Sequence, residues 1–170
     1  DDCYNFMKKH KPDVIYHLAA KANVRESFDR PAECFRVNTE MTINLFEACR
    51  KVGIRPVIVI CSTSEVYGNP GAWPIQEGFA TDRQTNPYAV SKRAQESIAK
   101  FYEGCYGFPV VITRAFGYVN PRRANLALTN FARQIVAIER GEQHELKHGN
   151  LGSIRTFCDV RDIVKAYVIA

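Results

Sequence analysis

Tyr88 and Lys92 stand four residues apart, about one helical turn, so on a helix the two side chains share a face. A phenol has a pKa of about 10 and is a poor base at neutral pH. An ammonium one turn away favours the phenolate, which makes such a pair a general acid and base for an alcohol or a ketone. Tyr-x-x-x-Lys alone is a common spacing, so its context matters. Ser62-Thr63-Ser64-Glu65 follows directly on the apolar run Val57-Ile58-Val59-Ile60-Cys61. Such a run is expected of a strand buried on both faces of a parallel sheet, and α/β sheets bind ligands beyond the carboxyl ends of their strands. There the Thr63 hydroxyl would hold the oxygen whose proton Tyr88 moves. His17-Leu18-Ala19-Ala20 ends an earlier apolar run, and its small residues would let a flat ring or a ribose approach the backbone.

The elements that must position these groups alternate along the chain. The pattern predicts a helix over 2–10, stopped at Lys11-Pro12, and a strand over 14–18. A long helix is predicted from Pro31 to Val52, with Phe35, Val37, Met41, Leu45, Phe46 and Cys49 near a 3.6-residue period and Gly53 as its stop. The strand at 57–61 leads into a loop rich in Gly, Pro and Asn. A second long helix is predicted over 87–106, with Asn86 as N-cap and Pro87 in the first turn. A strand at 110–113, a helix at 124–140 closed by Gly141, a short strand at 145–148 and a helix from Asp159 complete the pattern. Strand and helix in alternation predict an α/β fold with a doubly wound parallel sheet. No linker divides the chain, so residues 1–170 are expected to form a single domain.

Composition bounds the function classes. The 170 residues are 46% hydrophobic and 24% charged, as in an ordinary globular protein, and the net charge of +5 is spread along the chain. That distribution says little about nucleic acid and would suit a sulfonate, phosphate or nucleotide ligand equally well; no nucleic-acid partner is expected. No apolar run approaches the roughly 20 residues needed to cross a bilayer, so no membrane role is expected. The six cysteines form no Cys-x-x-Cys pair and fit a cytoplasmic protein with reduced thiols. His144 and His148 have i,i+4 spacing but no His-Glu-x-x-His pattern and no carboxylate cluster, and no metal site is expected.

Taken in order, the motifs resemble the extended short-chain dehydrogenase/reductase (NAD-dependent epimerase/dehydratase) family. The resemblance rests on His17-Leu18-Ala19-Ala20, Val37-Asn38, the segment Ser62–Gly68, Asn86-Pro87-Tyr88-Ala89-Val90-Ser91-Lys92, and Thr156-Phe157-Cys158-Asp159-Val160-Arg161-Asp162. It implies a Rossmann-like fold, with Leu18, Ala19, Ala20, Tyr88 and Lys92 on a bound NADP or NAD. Asn120-Pro121-Arg122-Arg123 and Gly149-Asn150-Leu151-Gly152-Ser153-Ile154-Arg155 are similar to segments of the GDP-mannose 4,6-dehydratase branch. That similarity implies a nucleotide-diphosphate sugar as ligand, held by Ser64, Asn120, Arg123 and Arg155 within a substrate-binding region over 120–158. The two arginines would face the diphosphate, a task suited to guanidinium geometry. Two positions depart from the branch: Gly117 stands where an asparagine is usual after Phe116, and Gly152 replaces an aspartate.

Glu65 separates the reactions open to this family. Oxidation of a sugar at C4 acidifies its C5 proton, and one carboxyl group over the C5–C6 edge can remove that proton and assist loss of the C6 hydroxyl. Thr63, Glu65, Tyr88 and Lys92 are therefore the expected catalytic set of a 4,6-dehydratase. A nucleotide-sugar epimerase or 4-keto reductase is the alternative, and a non-catalytic binding or assembly module is a third. The sequence contains no G-x-G-x-x-G, so the sheet is expected to be incomplete, missing its first βαβ elements. The isolated chain is accordingly expected to be inactive, and to self-associate as a homo-oligomer through the exposed strand flank.

Overall fold

The computed structural model describes residues 2–122 and 126–170. It divides into two compact units, residues 1–115 and residues 116–169.

The first unit is a parallel three-stranded sheet in the order β1-β2-β3, with β1 at Val14–His17, β2 at Val57–Thr63 and β3 at Val110–Ala115. Each crossover runs through a helix: α3 (Pro31–Val52) joins β1 to β2, and α4 (Pro87–Tyr106) joins β2 to β3. The sequence places the ends of both helices. Pro31 and Pro87 occupy first turns, where a missing N–H costs nothing. Gly53 and Gly107 close them in the left-handed region, at φ 79° and 67°. α1 (Asp2–His10) packs on α3, and α3 packs along α4. Between helices and sheet lies a core of Met7, Leu45, Phe46, Ala48, Cys49, Ile58, Ile60, Ala99, Tyr102 and Phe108. Phe46 anchors it, stacked on Tyr102 at 4.6 Å and edge-on to Phe108 at 5.3 Å.

Several boundaries differ from the sequence expectation. β2 continues two residues past Cys61 and β3 two past Thr113, because Ser62 pairs with Arg114 and Thr63 with Ala115. β1 ends at His17, one residue early, and Leu18 turns back so that its N–H bonds the Tyr16 carbonyl at 3.0 Å. A short helix absent from the expectation, α2 (Val24–Asp29), is capped by the Asn23 side chain, which accepts from Glu26 N at 3.2 Å. The buried stripe on the first half of α3 is polar rather than apolar: Cys34, Asn38 and Thr42 face inward.

The second unit holds a parallel pair, β4 (Gly117–Val119) with β5 (Phe157–Asp159), and two helices, α5 (Ala127–Glu139) and α6 (Val160–Ile169). The strand expected at 145–148 does not form. The Gln134 side chain takes the backbone there instead, donating to Lys147 O at 2.9 Å and accepting from Lys147 N at 2.7 Å. Asp159 ends β5 rather than opening the last helix, and its carboxylate accepts from Arg161 N at 2.8 Å. Residues 124 and 125 of the helix expected at 124–140 lie outside the described residues.

Candidate active site

Thr63 is the last residue of β2 and is buried. Its Oγ accepts a bond from Glu65 N at 3.3 Å, which starts a short 3-10 turn over Ser64–Tyr67. Gly68 closes the turn at φ 59°, and a Cβ there would sit 1.9 Å from Arg83 O, so no side chain fits. The turn aims Glu65 toward the start of α4. Asn86 donates from Nδ2 to Glu65 Oε2 at 3.1 Å, while its Oδ1 accepts from Ala89 N at 2.7 Å. One asparagine thus caps the helix of Tyr88 and Lys92 and holds the carboxylate of the Ser62–Glu65 segment. Sequence reading found the cap but not the second bond.

Tyr88 is half-buried in the first turn of α4. Its N–H donates to Ser27 Oγ at 3.2 Å, and its carbonyl accepts from Ser91 Oγ at 2.7 Å. Lys92 lies one turn further on and is only 2% exposed. Burial pushes its ammonium down to about 8, against the opposing influence of Cys61, Glu96 and Cys34. At neutral pH the group still carries its proton.

The segment after β1 is tied to the same helix. Leu18 and Ala19 are exposed and Ala20 is half-buried. Asn38 of α3 clamps the next residue at both ends, accepting from Lys21 N at 2.7 Å and donating to Lys21 O at 3.2 Å. The same amide donates to Ser91 Oγ at 2.8 Å. Deeper along this seam, Gln95 donates to Thr42 Oγ at 2.6 Å and to Asn38 O at 3.0 Å, and His17 meets Thr42 Oγ at 3.0 Å. Burial, then the charge of Lys92, drives His17 down to about 4, so it is a neutral spacer at physiological pH. These polar groups lie where the helical period predicted an apolar face; the motifs had marked His17, Asn38 and Ser91, but for Thr42 and Gln95 the i,i+4 spacing to Asn38 and Ser91 was the trace in the sequence.

Leu18, Ala19, Ala20, Thr63, Ser64, Glu65, Tyr88 and Lys92 therefore all belong to the first unit, linked through Asn38, Asn86 and Ser91. Asn120 and Arg155 belong to the second unit. There Asn120 Oδ1 accepts from Arg122 N at 3.0 Å, its carbonyl accepts from Thr129 Oγ at 3.3 Å, and Arg155 is exposed. Arg123 lies outside the described residues. Among the described residues no cluster of three or more His, Cys, Asp or Glu could hold a metal, and no helix is long and apolar enough to cross a membrane.

The family model described as GDP-mannose 4,6 dehydratase matches residues 1–170. The chain belongs to this family. It sits within the extended short-chain dehydrogenases/reductases, whose members include nucleotide-sugar dehydratases, epimerases and reductases. The GDP-6-deoxy-D-mannose reductase of Pseudomonas aeruginosa is 34% identical over 161 residues, 92% of this chain and 53% of the reductase. The solved structure of RMD from Pseudomonas aeruginosa complexed with NADPH superposes with a TM-score of 0.89 at 33% identity, covering 94% of this chain and 56% of that one. The UDP-glucose 4-epimerase of Thermus thermophilus, solved in complex with NAD, gives a TM-score of 0.84 at 28% identity, covering 99% of this chain and 56% of that one. The chain thus spans about half the length of these relatives, the share that carries the incomplete Rossmann fold, and structures of the family hold NADPH or NAD.

Proposed function

We propose that the chain supplies the catalytic half of a nucleotide-sugar 4,6-dehydratase acting on GDP-mannose or a close analogue. The observation that carries the reading is the Asn86–Glu65 hydrogen bond, which fixes a carboxylate at the head of the Tyr88–Lys92 helix. The chemistry of the donor set suits an NADP or NAD: a phenol, a buried ammonium with a depressed pKa, and a Leu18-Ala19-Ala20 segment, exposed at its first two residues, that Asn38 steadies from the next residue. When bound, the nicotinamide supplies the acceptor for the C4 hydrogen and the donor for C6.

The chain's own residues handle the protons. The Thr63 hydroxyl holds the C4 oxygen while Tyr88 removes its proton, and the Lys92 ammonium stabilises the phenolate. Glu65 then takes the C5 proton and delivers it to the departing C6 hydroxyl, which leaves as water. C5 receives a proton as C6 is reduced, balanced by the one Tyr88 removed from the C4 oxygen, so C4 ends oxidised and C6 reduced, with one water lost. Ser64, Asn120, Arg123 and Arg155 are proposed to hold the sugar nucleotide. The 170 residues contain no Gly-rich βα turn to seat the pyrophosphate, so the isolated chain is proposed to lack turnover.

The test is incubation of the complete gene product with GDP-mannose and NADP. A 4-keto-6-deoxy product, lost in Glu65→Gln, is the expected result. Inversion at C4, or net oxidation of reduced cofactor by a 4-keto sugar, would overturn it. A 4-keto reductase is the second reading, favoured by the similarity to the Pseudomonas aeruginosa reductase. That reaction needs Thr63, Tyr88 and Lys92 but no base at C5, so Glu65→Gln should then leave turnover nearly intact.

A further inference from the structure

Glu96 lies one turn beyond Lys92 on α4 and is fully buried. Its carboxylate is crowded with donors. Arg114, on β3, grips it with two parallel bonds, Nε to Oε1 and Nη2 to Oε2, both 2.9 Å. Ser62 Oγ donates to Oε1 at 2.5 Å, and Arg93 Nη1 reaches Oε2 at 3.4 Å. Arg114 also turns outward. Its Nη1 donates to the Tyr67 hydroxyl at 2.9 Å and to Glu77 O at 3.2 Å, and its guanidinium lies over the Tyr67 ring at 4.9 Å.

The pair therefore touches every element that carries a candidate catalytic group. Ser62 precedes Thr63, Tyr67 ends the turn that begins at Ser64-Glu65, and Glu96 continues the i,i+4 row of Tyr88 and Lys92. Arg114 and Ser62 are also register partners across β2 and β3. A bidentate, stacked guanidinium sets distance and orientation more tightly than a lysine would. Replacing a buried ion pair with apolar side chains of similar size is often neutral or stabilising, so stability alone gives little reason for one here.

We propose that Glu96 and Arg114 form a positioning pair that fixes the spacing between the Thr63-Ser64-Glu65 segment and the Tyr88–Lys92 helix. The C5-specific part of its test rests on the dehydratase reading; the spacing itself serves any reaction that uses Thr63 with Tyr88.

The experiment compares the complete gene product with its Glu96→Leu/Arg114→Met double variant and its Arg114→Lys variant. The double variant removes both charges of the pair, releases only the partly exposed Arg93 to solvent, and is expected to unfold in urea close to wild type. Its KM for the sugar nucleotide should stay near wild type while kcat falls about 10- to 100-fold, the cost of a displacement of about 1 Å at a reacting centre. The deuterium isotope effect with substrate labelled at C5 should rise, because proton removal by a displaced Glu65 becomes slower. Arg114→Lys should recover only part of kcat. Wild-type kcat in the double variant, or a loss matched by the unfolded fraction, would overturn the proposal. If the double variant does not fold, Arg114→Lys decides, and wild-type kcat there overturns it. If the wild type forms no 4-keto-6-deoxy product, the dehydratase reading fails. The kcat-against-KM split is then read on the epimerase or reductase activity, where an unchanged kcat sinks the pair.

Discussion

Lys92→Met should make the fold more stable at neutral pH while abolishing turnover of the complete gene product. Methionine keeps the unbranched length and removes the charge. Lys92 is 2% exposed, and burial lowers its pKa from 10.5 to about 8. At about 1.4 kcal/mol per pKa unit, that depression is a penalty of about 3 kcal/mol on the folded chain. The sign follows from which state holds the proton. Below the folded pKa of about 8 both states are protonated, and the full penalty falls on the fold. Between about 8 and 10.5 the folded chain has released the proton while the unfolded chain retains it, so the fold gains stability as pH rises. The variant should therefore exceed wild type by about 3 kcal/mol at pH of about 7, and the gap should close toward pH of about 10.5. Urea unfolding of both proteins at a series of pH values measures it. A variant less stable than wild type at neutral pH, or a gap that does not change with pH, would refute the claim that Lys92 is held against its solvation preference.

Further outcomes follow from single contacts. Asn86→Ala loses both the helix cap and the bond to Glu65 and should cost about 1 kcal/mol, whereas Asn86→Ser keeps a cap and should cost less than half of that. Both should lower kcat to a similar degree, and full activity in Asn86→Ser would show that the Glu65 bond is idle. His17, down at about 4, makes the fold lose stability as pH falls from about 6.5 to about 4, by about 3 kcal/mol in total. The pH dependence of urea unfolding in His17→Gln should lack that component. Gly68→Ala drives a Cβ into the Arg83 carbonyl at a positive φ and should cost about 1–3 kcal/mol, read as faster proteolysis within residues 69–86.

Much of the first unit was legible because its signals are local. Pro31, Gly53, Asn86, Pro87 and Gly107 set the ends of α3 and α4 through φ restriction and capping, which act within one turn. Val57–Cys61 announced a central strand because each of its residues is apolar, as burial on both faces requires. Tyr88 with Lys92 was readable because i,i+4 spacing fixes a shared face. The strand expected at 145–148 failed for the opposite reason. A strand exists only with a partner, and here the Gln134 amide satisfied the backbone of Lys147 instead. The pairing of Gly117 with Phe157, forty residues on, likewise had no local signature.

The sequence alone determined the cast: a phenol, an ammonium, a threonine and a carboxylate, placed in order at strand and helix ends. Which of them meet was decided by tertiary structure. Asn86 reaches Glu65 across 21 positions, Asn38 reaches Ser91 across 53, and Ser62 with Arg114 closes on Glu96. None of these bonds has a periodicity, because each joins side chains from different elements whose separation exists only once β2, α3 and α4 have packed. The residue types of Glu96 and Asn38 suggest a solvated surface, and only the packed fold shows them fully buried. Buried polar groups must find partners or lose their hydration without return, so packing those elements also dictated the network that holds Tyr88 and Glu65 in place.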